Sequence, residues 1–493
     1  MRAVPRSGRA PAPPQAPAAN RLIGPSVRRA AGYFLLVPLS IFFWIIFYQN
    51  LPDDLNGEEW KPLITTGAID RVIKIGMVAI SCIVIATRLP LARLLMKNIN
   101  PGLAAFMVLI PLSALWSIDS AATLLRFTTL MAIVLLCFAI PLAKWDRRRL
   151  QEMVLPAVMT ILVLSLVIGI LYPEGVKEIG TDISLKDAWK GITFQKNQFG
   201  TTASIVAILC FNRLLAPGKR SFWTLAGVVI ALTCLLLSRS STSLLATIVV
   251  VSFMILVMRV PVIAERFSTL AVVATFATIL IYGLAVQNLI PGVGKLLAPI
   301  MELTGKDMTF SARSTIWEVI KAHSEAAPWL GTGYGAYWTA EPTPGSPSYI
   351  FLSLMHFYPT SSHNGYLEVL NDLGRVGLIC LLAFLVFFVR QALQLMPFDR
   401  GQAVLYAALL FQQMIDNLSE SEWFSRTATC TIIILASICL SRARMEQQLS
   451  ARPAAAGQPA APSRPAKSGG GRGSNLRLGR SGILPIMPAH KDR

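Results

Sequence analysis

Charge is scarce in this chain. Asp, Glu, Lys and Arg make up only 14% of its 493 residues, against about 25% in an ordinary soluble domain. Acids are scarcer than bases, 26 against 45, and histidine occurs four times. Apolar residues reach 54%, with a mean hydropathy of +0.56. That balance excludes a cytosolic enzyme or a secreted disulfide scaffold. The seven cysteines (Cys82, Cys137, Cys210, Cys234, Cys380, Cys430 and Cys439) form no CxxC pair and no His/Cys cluster, so neither zinc nor a disulfide framework is expected. They sit in apolar runs and read as small buried hydrophobes. GxxxxGK[ST], HExxH and GxSxG are all missing. The run Gly331-Thr332-Gly333-Tyr334-Gly335 follows no strand, so it is no dinucleotide site. Energy must then come from an ion gradient or from an activated substrate in the membrane. The alternating ten-residue segments of a transmembrane barrel are absent as well. No cleavable signal peptide is expected, because the first apolar run starts near Tyr33 behind a long basic arm.

What the chain does have is a series of long apolar runs. A spanning helix needs about 20 mainly apolar residues. Twelve candidates lie at roughly 31–49, 70–88, 101–117, 121–141, 150–172, 198–216, 221–238, 241–258, 267–287, 365–389, 401–416 and 424–441. The expected fold is an all-α polytopic membrane protein of about twelve helices, with its membrane domain over 31–441. The net charge of +19 is mostly terminal. Six arginines and no acid occupy residues 1–29, and ten bases against two acids lie between Arg442 and Arg493. Both tails, 1–30 and 442–493, are rich in Pro, Ala, Gly or Ser and are expected to be disordered. Anionic lipid, not nucleic acid, is their expected partner. An even helix count puts both ends on one side. The loops carrying Arg88, Arg93 and Lys97; Lys144 and Arg147 to Arg149; Arg213; Arg259; and Arg390 and Arg400 make that side cytoplasmic.

The loop 288–364, on the outer side, is too long to be structureless. Within it, Ser311 to Ala326 reads as an amphipathic helix that sets Arg313 and Trp317 on a shared face. Other cations also gather outside, where the loop-charge bias should deplete them: Arg126 in the fourth run, Lys196 before the sixth and Arg239 in Ser238–Thr242. Ionisable groups at membrane depth are functional candidates. Guanidinium groups bind phosphate oxygens in pairs, so a lipid-linked diphosphate is a natural ligand. A base is then needed. His363, followed by Asn364 and Glu368, stands at the mouth of the tenth run. A helix N-terminus and nearby cations both disfavour imidazolium, which leaves its ring able to accept a proton.

The segments Gly191–Asn197, Ser238–Thr242, Arg313 with Trp317, Pro328–Gly333 and His363–Glu368 occur in this order. Together they resemble the O-antigen ligase/Wzy polymerase superfamily. Asn417–Ser421 is similar to its ExoQ branch. The resemblance covers about 190–425; Trp116–Asp119 and Arg126 fit it loosely. It implies a GT-C-like architecture in the bacterial inner membrane and metal-independent, inverting glycosyl transfer on the periplasmic face. The donor would be a glycan on undecaprenyl diphosphate, with no cofactor. His363 would be the base. Arg239 and Arg313, with Lys196 and Arg126, would hold the diphosphate. Asn197, Asn364, Glu368, Asn417 and Glu420 are the candidates for binding sugar. A flippase and a chain-length regulator are the expected protein partners. Three alternatives stay open: a ligase using a lipid A-core acceptor, a metal-dependent enzyme using Asp53 and Asp54, and a transporter of lipid-linked oligosaccharide.

Overall fold

The computed structural model describes residues 25–48, 67–178, 187–217, 221–286, 311–338, 344, 346–355 and 359–456. Asp53, Asp54 and most of both tails lie outside them. The chain runs α1 (Pro25–Tyr48), α2 (Ala68–Thr87), α3 (Leu89–Met96), α4 (Pro101–Leu112), α5 (Ser120–Ala143), α6 (Arg149–Leu171), α7 (Lys196–Leu215) and α8 (Phe222–Leu237). It continues with α9 (Ser241–Arg259), α10 (Ser268–Val286), α11 (Ser311–Ser324), α12 (Ile350–Met355), α13 (Gly365–Leu395), α14 (Arg400–Asp416) and α15 (Ala428–Ala456). No strand occurs among the described residues, only an isolated bridge between Lys177 and Trp189. Residues to 447 form one unit; of the second, 448–493, only the last turns of α15 are described.

Each of the twelve apolar runs coincides with a helix. Among the described residues, seven helices are long and apolar enough to cross a membrane alone. An eighth span exists if α2 and α3, bent by 98°, count as one. Polar punctuation shortens others: Ser221 and Ser238 bracket α8, and α4 passes into a 3₁₀ turn at Ser113–Leu115. The helices also run further into the basic tails than composition suggested. Residues 25–30 and 442–456 are helical, the latter carrying the good helix formers Ala, Arg, Met, Glu and Gln.

The centre of the bundle is α14, buried from Gln402 to Asp416 and packed against α7, α9 and α13. Outward faces carry exposed Val72, Ile75, Ile170 and Leu171, as a lipid-facing surface requires. Several loops meet one another at two places in the bundle. At one end Asn212 donates to Gly401 O (2.9 Å), Arg259 to Leu214 O (3.1 Å) and Gln391 to Asn98 O (3.0 Å). At the other, Trp116 donates to Leu330 O (2.9 Å) and Arg126 to Trp338 O (2.8 Å).

That second end contains a broken helix. Gly374 lies inside α13 with φ 62° and ψ −160°. The break frees backbone groups that hydrocarbon cannot satisfy. The segment 328–333 takes them up. Arg375 N and Val376 N donate to Pro328 O (2.9 Å) and Trp329 O (3.1 Å). In return, Thr332 N and Gly333 N donate to Asn371 O and Asp372 O, both at 2.9 Å. The sequence Pro-Trp-Leu-Gly-Thr-Gly is thus a splint laid along α13. A Cβ at Gly374 would meet the carbonyl carbon of Trp329 at 2.3 Å, in a left-handed backbone region. Gly374→Ala should therefore cost about 3 kcal/mol or more. A thermal midpoint of the detergent-purified variant equal to the parent's would refute this.

Candidate functional site

Two of the residues singled out above share an uncommon backbone. Arg239 has φ 48° and His363 has φ 49°, a left-handed region that non-glycine residues seldom enter. Strain of this kind persists only where the surroundings hold it, and at His363 they do. Asn364 caps α13, its Oδ1 accepting from Tyr366 N (3.1 Å) and Leu367 N (3.2 Å). Ser421 Oγ accepts from Asn364 N (3.1 Å), and Asn417 O accepts from Gly365 N (2.9 Å). The 417–421 segment is therefore clamped against the mouth of α13. Gly365 permits the close approach, because a Cβ there would lie 1.9 Å from Asn417 Oδ1.

The clamp brings Glu420 to His363. Nδ1 of the imidazole lies 3.6 Å from Glu420 Oε2, an ion-pair distance just beyond a formed hydrogen bond. Gln195 Nε2 donates to that oxygen at 3.3 Å. The other carboxylate oxygen accepts from Asn197 Nδ2 (2.8 Å) and Arg313 Nη2 (3.4 Å). Asn197 Oδ1 accepts in turn from Ser240 Oγ (3.1 Å), the neighbour of Arg239. One carboxylate thus ties together four segments that are distant in sequence. The amphipathic helix α11 braces both halves. Trp317 Nε1 donates to Ser362 O (2.9 Å), just before His363, and Arg313 Nη1 donates to Ser419 O (2.8 Å), just before Glu420. The shared face of Arg313 and Trp317 has its physical reason here. A cavity of about 230 Å³ opens beside Glu420, lined by Asn197, Gln198, Thr201, Asp416, Glu422 and Thr427 among others.

The remaining sequence candidates divide. Lys196 opens α7, and its amide N–H donates to Glu178 Oε2 (2.7 Å). Arg126 turns to the loop after the splint, with Nη2 on Trp338 O. Its described contacts do not reach Glu420. Asn364, Glu368 and Asn417, read as sugar binders, instead build the backbone. Glu368 accepts from Trp338 Nε1 (2.7 Å), Ser362 N (2.8 Å) and Ser421 Oγ (3.3 Å). Asn417 accepts from Glu422 N (2.9 Å) and Trp423 N (3.0 Å) while donating to Gln413 O (2.7 Å). Asn364 and Asn417 are fully buried. Gln195, Glu178, Trp338 and Ser421 went unnamed as site residues, because nothing local marks them. Among the described residues, no three His, Cys, Asp or Glu converge to hold a metal.

Charge at the site is graded. Burial works to raise the Glu420 carboxyl, but the facing His363 ring, Arg313 and the Asn197 amide outweigh it and hold it below the ordinary glutamate range. Its contribution to stability is present above that range and is lost as pH falls through the depressed value. Two residues on, burial pushes Glu422 up to about 7, although Thr427 donates to it. Between 4.5 and about 7 the folded state keeps a proton on Glu422 that the unfolded chain has released. Stability from this group therefore falls as pH rises across that window. Glu422→Gln should raise the melting midpoint at pH 8 by more than at pH 5. Equal shifts at the two pH values would contradict the assignment.

Comparison with known proteins finds two similarities. Residues 226–382 match the O-antigen ligase family. That stretch contains Arg239, Arg313 and His363, and it stops short of Glu420. The chain is also 26% identical, over 318 residues, to the exopolysaccharide production protein ExoQ of Rhizobium meliloti (strain 1021). The alignment spans 62% of this chain and 69% of that protein. This bundle of apolar helices, with its ordered motifs, is thus similar to the O-antigen ligase family over 226–382 and to an exopolysaccharide production protein over most of its length.

Proposed function

We propose that this chain polymerises oligosaccharide repeat units carried on undecaprenyl diphosphate, by metal-independent inverting transfer on the periplasmic face of the bacterial inner membrane. Both termini would then be cytoplasmic. The observation that carries the reading is the His363–Glu420 pair at 3.6 Å, at the entrance of a membrane helix. Glu420 faces Nδ1, and closing that gap to a hydrogen bond when substrate binds would align the ring and leave the other nitrogen for an acceptor hydroxyl, in the manner of a base aligned by a third group. His363 takes the hydroxyl proton as the sugar oxygen bonds to the anomeric carbon of the growing chain. The anomeric carbon–oxygen bond to the diphosphate breaks, and the diphosphate leaves with the electron pair. Arg239 and Arg313 stabilise its growing charge. Asn197 and the polar cavity beside Glu420 suit sugar hydroxyls.

ExoQ is named for exopolysaccharide production, which favours the polymerase. The matched family is described as O-antigen ligase, which favours transfer to a lipid A-core acceptor by the same chemistry. Gel analysis of surface glycan from a deletion strain separates the two. Loss of polymer with short repeats intact means polymerase; loss of capped lipopolysaccharide with carrier-linked polymer retained means ligase.

His363→Ala, Arg239→Ala and Arg313→Ala should each abolish polymer while the protein still reaches the membrane, as an immunoblot of membrane fractions checks. Normal long chains from His363→Ala would remove the base. Glu420→Gln should lower kcat by about 10²-fold with KM little changed. A change confined to KM would instead assign Glu420 to ground-state binding of the sugar.

A further inference from the structure

The end of the bundle opposite Glu420 holds a second, larger cavity of about 1160 Å³. The same helices connect the two: α7 and α14 begin or end near the Glu420 pair, and their other termini, at Leu215 and Arg400, line this space. We propose that it is a binding site for the phosphate group of an anionic phospholipid. This inference does not depend on the glycan chemistry.

Three observations support it. The first is charge. Arg147, Arg148, Arg213 and Arg400 line the cavity, and all four are exposed. Its two acids are engaged: Glu152 pairs with Arg149 at 2.7 Å, and Asp399 caps α14 through Gln402 N (3.1 Å) with Arg147 at 3.9 Å. The second is the backbone. Helices α6, α8 and α14 all present their N-termini here; Asp146 Oδ1 accepts from Arg148 N (2.8 Å) at α6, whereas Ser221 at the start of α8 makes no side-chain cap. Uncapped amides and the positive end of the helix dipole favour an anion. The third is Gln402. It is 8% exposed, lines the cavity, and its side-chain carbonyl oxygen has no hydrogen-bond partner. In an amide, the donor and acceptor ends exchange by a half-turn, so Gln402 can offer N–H to a phosphate oxygen.

The apolar part of the lining separates a lipid from a free phosphate. Leu155, Met159 and Met258 form one wall. Trp223, 80% exposed beside Phe222 at 74%, stands at the rim. Exposed aromatics at a helix end mark the membrane–water interface, and basic pockets between membrane helices recognise anionic headgroups. A headgroup held by the arginines would have its acyl chains against the apolar wall.

The test uses the full chain purified in detergent. It is incubated with phosphatidylglycerol or with phosphatidylcholine of the same acyl chains, and retained lipid is read by native mass spectrometry. Phosphatidylglycerol should be retained and phosphatidylcholine lost. Arg213→Ala and Arg400→Ala should each reduce retention about fivefold, and the double variant about 30-fold. Lysine at both positions should keep most of it. Melting curves identify any variant that fails to fold, and the single substitutions then decide. If millimolar inorganic phosphate displaces the lipid, free phosphate is the occupant. If the lipid stays, the headgroup is. Equal retention of the two lipids, or full retention by a folded double variant, would overturn the proposal.

Discussion

A half-buried carboxylate cannot stay ionised without partners, and Glu420 has partners from four directions. Asn197, Gln195, Arg313 and His363 all face its two oxygens. Their combined effect outweighs the desolvation that burial imposes. That charge then orders its surroundings. It draws the start of α7, the helix α11 and the mouth of α13 onto the loop after α14. Each of these pieces is held separately by backbone hydrogen bonds, but the carboxylate is where they meet.

The membrane accounts for the rest of the architecture. A helix interrupted at bilayer depth must have its freed amides and carbonyls taken up inside the protein. The splint 328–333 does this for α13 at Gly374. Asp372, just ahead of the break, accepts from Gly335 N (2.6 Å) through Oδ2. Arg126 anchors the same loop from α5. A rigid α13 mouth is a prerequisite for a strained His363, because a left-handed histidine on a mobile loop would relax. Packing far from the imidazole thereby sets its position.

Several residues changed role between sequence and structure, for one reason. Asn364, Glu368 and Asn417 are polar and lie beside motif positions, which made them plausible sugar ligands. In the folded chain their polar atoms meet backbone N–H and C=O groups at a helix start and a helix end. Helix termini leave several such groups unsatisfied, and inside a bundle a side chain must serve them. Glu420 went the other way, from one of several sugar candidates to the common partner of an imidazole and a guanidinium. His363 was read beside a helix N-terminus and nearby cations, and the carboxylate facing it lies 57 residues further along the chain.

Hydropathy alone was enough to establish the all-α membrane class and the positions of the apolar helices. Those properties depend on the local tally of apolar residues, which any window of sequence contains. The order of the motifs was sufficient to single out His363, Arg239 and Arg313. Tertiary structure alone decided that Glu420 meets His363 and Arg313, that Arg126 bonds to the loop at Trp338, that α13 is broken and splinted, and that four arginines from three segments line one cavity. These are contacts between residues far apart along the chain. Their energies come from desolvation and hydrogen-bond geometry in three dimensions, which a linear pattern does not encode.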